Sequence, residues 1–274
     1  MLIDKNRHKE SLTELWNRVF GDEQSFIELI FNEKYNESIL CFAEITDEKA
    51  VSAFYLIKNE LRYNGELYNG YYLYAAATLP EFRGRGYMSE LIRKAQQFFR
   101  ENNKADFISL VPSEKSLYGY YSSLGFQTAM YRFINGRTSS AVCSSSYKEI
   151  ESPEEILDIR RKYKGNSINF SCDSFGYALD CMKHSGFKLL STGADIILID
   201  SDDADSFSEL VAPDADTASH FAKGIDLKGD LTSPFFLDEY SENEAVPYGM
   251  LYPINKKLVR DWKFTDIYMN VALD

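Results

Sequence analysis

Apolar residues change their spacing along the first third of the chain. Within the first thirty positions they recur every three or four residues, as at Leu12, Leu15 and Trp16, and this spacing predicts helices. Between positions 39 and 78 they form dense apolar and aromatic runs, interrupted by Asp47-Glu48-Lys49 and by Asn64-Gly65-Glu66. Short polar interruptions of this kind are typical of hairpin turns. The pattern therefore predicts three consecutive strands, at 39–46, 51–63 and 67–78.

A short basic and glycine-rich segment, Arg83-Gly84-Arg85-Gly86, follows the third strand and opens a helical pattern at 88–99. The free backbone N–H groups and the dipole at a helix N-terminus favour an anion there. Gly84 and Gly86 remove the side chains that would keep a phosphate away from the backbone. Arg83 and Arg85 add positive charge. The segment therefore predicts a phosphate-binding turn.

The remaining pattern predicts alternating helices and strands on both sides of a serine-rich segment at 135–146, which we interpret as a linker. Before this linker we expect a strand at 107–111, a helix at 117–124 that Gly125 ends, and a strand at 126–134. After it we expect helices from Ser152, at 175–183 and at 215–222, and strands at 189–200, 207–211, 248–254 and 267–273. We therefore expect two domains, 1–138 and 147–274.

Composition limits the class of protein. Of the 274 residues 45% are hydrophobic, which is enough for a buried core, and no apolar run approaches the length of a membrane span. The N-terminal residues lack the apolar segment of a secretory signal, and the four cysteines show no paired spacing. We therefore expect a cytoplasmic protein with free thiols and without membrane partners. The three histidines are scattered, so no metal site is expected.

The net charge of −12 makes nucleic acid an unsuitable partner, because phosphate backbones bind to basic surfaces. The same charge serves solubility, and it would also attract a cationic substrate. The charge alone leaves both interpretations open.

Two motifs in this order resemble the signatures of the GNAT superfamily of N-acetyltransferases. The first signature is R/Q-x-x-G-x-G/A, carried here by Arg83, Gly86 and Met88, and the second is Y-x-x-x-G-F, carried by Tyr121 to Phe126. Met88 departs from the usual Gly or Ala. That departure resembles the branch that includes the enhanced-intracellular-survival (Eis) acetyltransferases. The two motifs and the elements between them cover about sixty residues.

The resemblance implies an α/β fold with a mixed sheet, the GNAT acyl-coenzyme A N-acyltransferase fold, followed by a smaller C-terminal α+β domain that is possibly a degenerate GNAT-like unit. It implies acetyl-coenzyme A as the co-substrate, held between two splayed strands. The backbone of Ala76, Ala77 and Thr78 would pair with the pantetheine arm. The segment that would surround the pyrophosphate consists of Arg83, Gly84, Arg85, Gly86, Tyr87 and Met88.

The implied reaction is direct acetyl transfer to a primary amine of a small molecule or peptide. Tyr121 matches the family tyrosine that protonates the leaving thiolate, although Tyr118 and Tyr120 lie beside it. The strand at 71–78 carries no Asp or Glu as a general base, so a water chain is one source of that function. The Eis-like branch suggests another, the carboxylate of the last residue, Asp274, but we favour a plain terminal strand with a solvated end.

Two other functions remain open. A non-catalytic acyl-coenzyme A sensor would keep the cofactor cleft without transfer, whereas an aminoacyl or peptidyl transferase would need a groove for transfer RNA, which the acidic charge disfavours. The amine acceptor and a possible homo-oligomer are not determined by the sequence. Four acidic residues would be able to face a cationic acceptor, although a solvated loop is the simpler interpretation: Asp238, Glu239, Glu242 and Glu244.

Overall fold

The computed structural model describes residues 1–135, 148–191, 197–200, 208–222, 231–234, 243–261 and 267–269. In these ranges the chain forms eight α-helices and fourteen strands. The helices are α1 (Lys9–Phe20), α2 (Gln24–Leu29), α3 (Tyr87–Asn102), α4 (Leu117–Ser123), α5 (Pro153–Arg160), α6 (Cys172–His184), α7 (Ala215–Ala222) and α8 (Lys256–Asp261).

The strands of the first half are β1 (Leu2–Ile3), β2 (Ile39–Thr46), β3 (Lys49–Tyr63), β4 (Glu66–Thr78), β5 (Phe107–Leu110) and β6 (Gln127–Asn135). Those of the second half are β7 (Lys148–Glu149), β8 (Ser167–Phe170), β9 (Lys188–Ser191), β10 (Ile197–Asp200), β11 (Ser208–Val211), β12 (Leu231–Ser233), β13 (Asn243–Pro253) and β14 (Tyr268–Met269).

The two predicted hairpins are confirmed. Thr46 pairs with Lys49 across the first turn, and Tyr63 pairs with Glu66 across the second. Each connection is a two-residue loop with positive φ at both positions: 50° and 64° in the first, 51° and 80° in the second. This backbone geometry matches the twist of adjoining antiparallel strands. The Asn-Gly pair of the second loop adopts it with little strain.

The sheet is mixed, and strands of the second half enter it. The strand order is β1-β2-β3-β4-β5-β13-β6-β12-β11-β10-β9-β7, with β8 paired to β3 and to β14. β13 pairs antiparallel with β5 on one side and with β6 on the other. The expected division into domains 1–138 and 147–274 stays a prediction, and the hydrogen-bonded ladder runs through both stretches.

Helices cover both faces of this sheet, which confirms the predicted mixed α/β architecture. Side chains of β4 alternate between the faces. Tyr72 and Tyr74 pack in a core with residues of α1, α2 and α6. Tyr71 and Leu73 pack in the opposite core with residues of α3 and α4.

Some elements differ from the sequence pattern. The segment 189–200 contains two antiparallel strands, β9 and β10, and the short elements β8, β12 and α8 have no counterpart among the predictions. At the predicted strand 267–273 the structure has β14, Tyr268–Met269. The predicted linker lies, beyond Asn135, outside the described residues. So do Asp274 and three of the four acidic residues considered for the acceptor, Glu244 being the exception.

Two expectations from composition concern the described residues. None of the helices described here is both long and apolar enough to cross a membrane. Cys41, Cys172 and Cys181 are free, and Cys41 and Cys181 are buried. Burial raises the pKa of each of these two buried thiols to about 12, so they remain protonated near neutral pH.

The position of β13 between β5 and β6 leads to a prediction about the stability of the fold. Met250 is fully buried in the core beneath α3, although it lies far along the chain from the other residues of that core. We expect Met250→Ala to lower the free energy of unfolding by about 2–5 kcal/mol, because the truncation leaves a cavity. Urea unfolding followed by circular dichroism measures this change.

The matched control is Val259→Ala, since Val259 is 54% exposed and its truncation should change the stability by less than about 0.5 kcal/mol. A loss below about 1 kcal/mol for Met250→Ala would show that β13 does not contribute to the core of the first half.

Candidate active site

The glycine-rich turn presents backbone N–H groups at the start of α3. Gly84 and Gly86 have φ values of 73° and 82°, a region that residues with a Cβ rarely adopt. The N–H of Glu90 donates to the carbonyl of Gly86 at 3.0 Å. The N–H groups of Tyr87, Met88 and Ser89 precede this bond, so they have no acceptor within the helix. They form a ready site for an anion.

Both arginines of the turn are exposed and brace its backbone. Arg83 Nε donates to the carbonyl of Thr78 at 3.1 Å. Arg85 donates to the carbonyl of Glu81 at 2.9 Å, and its guanidinium lies 5.1 Å from the ring centroid of Phe82. These bonds fix the arginines beside the open N–H groups.

The acidic residue of this turn is neutralised by a partner. Glu81 forms an ion pair with Arg18 of α1 at 3.0 Å. A backbone hydrogen bond at Glu81 and the Arg18 guanidinium lower the pKa of its carboxyl. The turn therefore keeps a local positive charge on an acidic protein.

Strands β4 and β5 part in the middle of the sheet. Their parallel pairing covers three residue pairs and ends at Tyr72 and Ser109. β4 then continues to Thr78, whereas β5 ends at Leu110 and pairs with β13 on its other side. Within the described residues, the β4 edge beyond Tyr72 has no strand partner on this side. The result is a cleft between two splayed strands, as the sequence resemblance implied.

A bulge distorts β4 inside this cleft. The register with β3 shifts between the pairs Ala53–Ala77 and Tyr55–Tyr74, so β4 contains one extra residue. Ala75, within the bulge, has φ of 49°, which costs about 1–2 kcal/mol for a residue with a Cβ. Strain of this kind is found where backbone groups are re-aimed for function.

A cavity of about 920 Å³ opens from the cleft. Ala75 and Ala76 of β4, Tyr121 of α4 and Tyr248 of β13 all line it. The volume is typical of small-molecule binding sites.

Tyr121 is 7% exposed and packs against the rings of Tyr120 and Phe126. Its burial, with a smaller contribution from Tyr120, raises the pKa of its hydroxyl to about 12. The ordinary value for a tyrosine hydroxyl is about 10. The phenol is therefore neutral, and able to donate a proton, over the whole physiological pH range.

The residues predicted from sequence fall in two neighbouring places. Ala76 and Tyr121 line the cavity, whereas the segment Arg83–Met88 lies outside its wall. A bond of 3.1 Å between the hydroxyls of Ser89 on α3 and Tyr120 on α4 links the two places. The predicted backbone residues Ala77 and Thr78 pair with β3, and their carbonyls accept bonds from Ser52 and Arg83.

An aromatic wall on the α1 side of the cavity was not predicted from the sequence. The Trp16 ring lies 5.7 Å from Phe20, 6.4 Å from Phe26 and 5.7 Å from Tyr74, and its indole N–H donates to Asp22 Oδ2 at 2.7 Å. All five residues line the cavity. In the sequence, Trp16 and its neighbours carried only the signal of an amphipathic helix.

The comparisons with known proteins agree with this geometry. The model of the acetyltransferase (GNAT) domain family matches residues 5–129. This stretch contains the glycine-rich turn and Tyr121. No curated protein matches the chain in sequence.

The GNAT fold also appears in solved structures that cover most of the chain. A probable N-acyltransferase from Enterococcus faecalis has a TM-score of 0.69 at 15% identity, over 93% of this chain and 72% of that one. A GCN5-related N-acetyltransferase from Kribbella flavida has a TM-score of 0.67 at 15% identity, over 93% of this chain and 72% of that one. Eis1 from Mycobacterium abscessus has a TM-score of 0.61 at 11% identity, over 93% of this chain and 73% of that one. At these identities the likeness concerns the fold.

The burial of Tyr121 leads to a prediction about the pH at which its hydroxyl ionises. We expect its ring carbon signal, in protein with ¹³C-labelled tyrosine and assigned through Tyr121→Phe, to remain that of the neutral phenol up to about pH 11. The raised pKa also implies that Tyr121 stabilises the fold fully below about pH 10 and that this contribution is lost as the pH rises through about 12. Ionisation of Tyr121 near pH 10 would contradict the burial argument.

Proposed function

We propose that this GNAT domain transfers an acetyl group from acetyl-coenzyme A to a primary amine of a small molecule or peptide. The observation that carries the proposal is the parting of β4 and β5 beside the open N-terminus of α3. This arrangement offers a strand edge to an amide-containing arm and N–H groups to a pyrophosphate.

In this proposal the pantetheine arm adds to the β4 edge at Ala76, Ala77 and Thr78. The carbonyls of Ala77 and Thr78 already accept one side-chain bond each. The carbonyl of Thr78 has a second lone pair, so the bond from Arg83 does not prevent pairing with the arm. Ala76 borders the cavity, and in this proposal it would lie closest to the reacting thioester.

The pyrophosphate would lie against the turn from Arg83 to Met88. Gly84 and Gly86 have open space where a Cβ would stand, so a ligand can approach the backbone. Met88 contributes its N–H like any residue, while its side chain packs against the core under α3. Its departure from Gly or Ala in the motif is therefore compatible with the site.

The chemistry requires three functions in the cavity. The neutral amine attacks the thioester carbonyl, and a backbone N–H at the Ala75 bulge stabilises the resulting oxyanion. The tetrahedral intermediate then collapses, the carbon–sulfur bond breaks, and Tyr121 gives its proton to the departing thiolate. β4 carries no Asp or Glu from Tyr71 to Thr78, so in this proposal water accepts the proton of the amine. The carboxylate of Asp274 is an alternative acceptor that the sequence suggested.

Two measurements test the function. Isothermal titration with acetyl-coenzyme A should show binding, and a free-thiol assay with a panel of amines should show release of coenzyme A. Binding without thiol release for any amine would favour a non-catalytic acyl-coenzyme A sensor. Absence of binding would contradict both functions.

The role of Tyr121 predicts a specific kinetic loss. We expect Tyr121→Phe to lower kcat by about 10²-fold or more, because general acid catalysis contributes at this scale. The affinity for acetyl-coenzyme A should remain unchanged, since the ring keeps its packing. Tyr118→Phe is the matched control, because Tyr118 also lines the cavity and lies on the same helix. Equal losses in both variants would remove the specific role of Tyr121.

The turn predicts an effect on cofactor binding. We expect Gly86→Ala to raise the Kd for acetyl-coenzyme A about tenfold or more, because the added Cβ enters the space of the pyrophosphate and strains a residue with φ of 82°.

Gly65→Ala is the control for backbone strain. Gly65 has φ of 80° and an equally open Cβ direction, but it lies in the β3–β4 hairpin loop. Both variants should lose similar stability in thermal unfolding, and only Gly86→Ala should lose cofactor affinity. Unchanged affinity in Gly86→Ala would place the pyrophosphate elsewhere.

A further inference from the structure

The aromatic wall lies at the α1–α2 end of the cavity, beside two carboxylates. From this arrangement we infer that the acceptor is an amine with a flat apolar body, whose ring packs on the wall and whose ammonium faces Asp22 and Glu23. The inference rests on the proposed function, because it names the class of acceptor for the same site.

The wall is preorganised and partly open. Trp16 is 3% exposed and is held by ring contacts with Phe20, Phe26 and Tyr74. Phe20, in contrast, is 44% exposed although it lines the cavity. An apolar body that covers Phe20 would gain the free energy of burying this surface.

The two carboxylates lie where the wall ends. Asp22 is fixed by the Trp16 indole, and the next residue, Glu23, is exposed; both line the cavity. In the described part of the chain neither carboxylate forms an ion pair. A ligand ammonium would first be attracted there by both carboxylates and by the faces of the aromatic rings. It would then give up its proton to water before the neutral amine attacks the thioester.

The basic residues that line the cavity, Arg132, Lys115 and His184, come from other elements. Arg132 of β6 lies over the ring of Tyr248, 4.4 Å from its centroid. Lys115 follows Glu114 in the loop after β5, so these two charges offset each other. His184 of α6 packs its ring 5.4 Å from Phe26. The residues of α1 and α2, and of the connection between them, that line the cavity include Asp22 and Glu23 but no Lys or Arg.

The same wall disfavours a polycation with many polar groups. Aromatic side chains offer few hydrogen bonds, so hydroxyl groups, and additional ammonium groups that find no carboxylate, would lose water without full replacement. Selectivity should therefore follow the apolar body and the single charge together, and neither alone.

Isothermal titration of the full chain, with and without coenzyme A, tests the inference with three probes. The probe 2-phenylethylamine has the ring and the charge, 2-phenylethanol has only the ring, and spermidine has only charges. We expect 2-phenylethylamine to bind at least about tenfold tighter than either of the others. Binding equal to that of 2-phenylethanol, or weaker than that of spermidine, would overturn the inference.

Two variants with matched controls locate the binding. Phe20→Ala and Glu23→Gln should each weaken 2-phenylethylamine binding about threefold to tenfold, since each removes one contact. Leu67→Ala and Glu37→Gln change an exposed apolar residue and an exposed carboxylate away from the cavity, and they should leave binding unchanged. Wild-type affinity in Phe20→Ala and Glu23→Gln would exclude the wall as the site.

The thiol assay separates this inference from the function beneath it. Acetylation of spermidine with no acetylation of 2-phenylethylamine would overturn the inference and leave the acetyltransferase proposal standing. Selective binding of 2-phenylethylamine without thiol release from any amine would support the acceptor site and contradict the transfer function.

Discussion

A buried hydrogen bond between Asn59 and Ser109 fixes the point at which the central sheet opens. Asn59 Nδ2 on β3 donates to Ser109 Oγ on β5 at 2.7 Å, and both residues are almost fully buried. Ser109 also belongs to the last backbone pair between β4 and β5. Because a broken bond here would leave buried polar groups unpaired, the three strands are held in register up to this residue and are free to diverge after it. The cleft and the cavity begin at this divergence, and the bulge of β4 lies in the same stretch of the strand.

Pairing with β13 allows β5 to part from β4 without leaving its backbone groups unpaired. A strand that leaves its neighbour must find another partner for its backbone groups. Met250 and Leu251 of β13 pair with Leu110 and Ser109, so β5 stays in the sheet while β4 turns away. Residues beyond position 240 therefore hold one side of a cleft whose recognisable motifs all lie before position 130. The second half of the chain is thus part of the support of the candidate site, whatever further role it has.

Whether each of these features could be predicted from the sequence depended on how close together its determining residues lie along the chain. The β2–β3 and β3–β4 hairpins could be predicted because Asp47-Glu48 and Asn64-Gly65 provide the turn chemistry within the pairs that they connect. The glycine turn and the position of Tyr121 were likewise readable from short motifs. The order of β5, β13 and β6 could not be read in this way, because strand pairing across more than a hundred residues leaves no signature in either strand. The bulge at Ala75 was equally hidden, since nothing in the run of three alanines distinguishes the residue with positive φ.

The candidate acceptor site likewise could not be predicted from the sequence. The spacing of Trp16, Phe20 and Phe26 is that of apolar residues on the buried face of a helix. Only the fold shows that these residues also border a cavity. The acidic residues first considered for a cationic acceptor lie near position 240, whereas the acidic residues that line the cavity within the described ranges are Asp22, Glu23 and Glu114.

The raised pKa of Tyr121 changes the proton transfer that the sequence implied. With a pKa of about 12, the phenol is a weaker acid than an ordinary thiol, whose pKa is about 8.5, so transfer to a thiolate in water would be unfavourable. The thiolate in the proposed reaction leaves inside the same cavity, and the burial that disfavours tyrosinate also disfavours thiolate. The pKa of about 12 already includes the burial of Tyr121, so burial of the thiol raises the thiol pKa toward that of Tyr121, and the difference between the two values narrows. In this proposal the match between acid and leaving group depends on closure around the thioester, which makes the packing of Tyr121 against Tyr120 and Phe126 part of the chemistry.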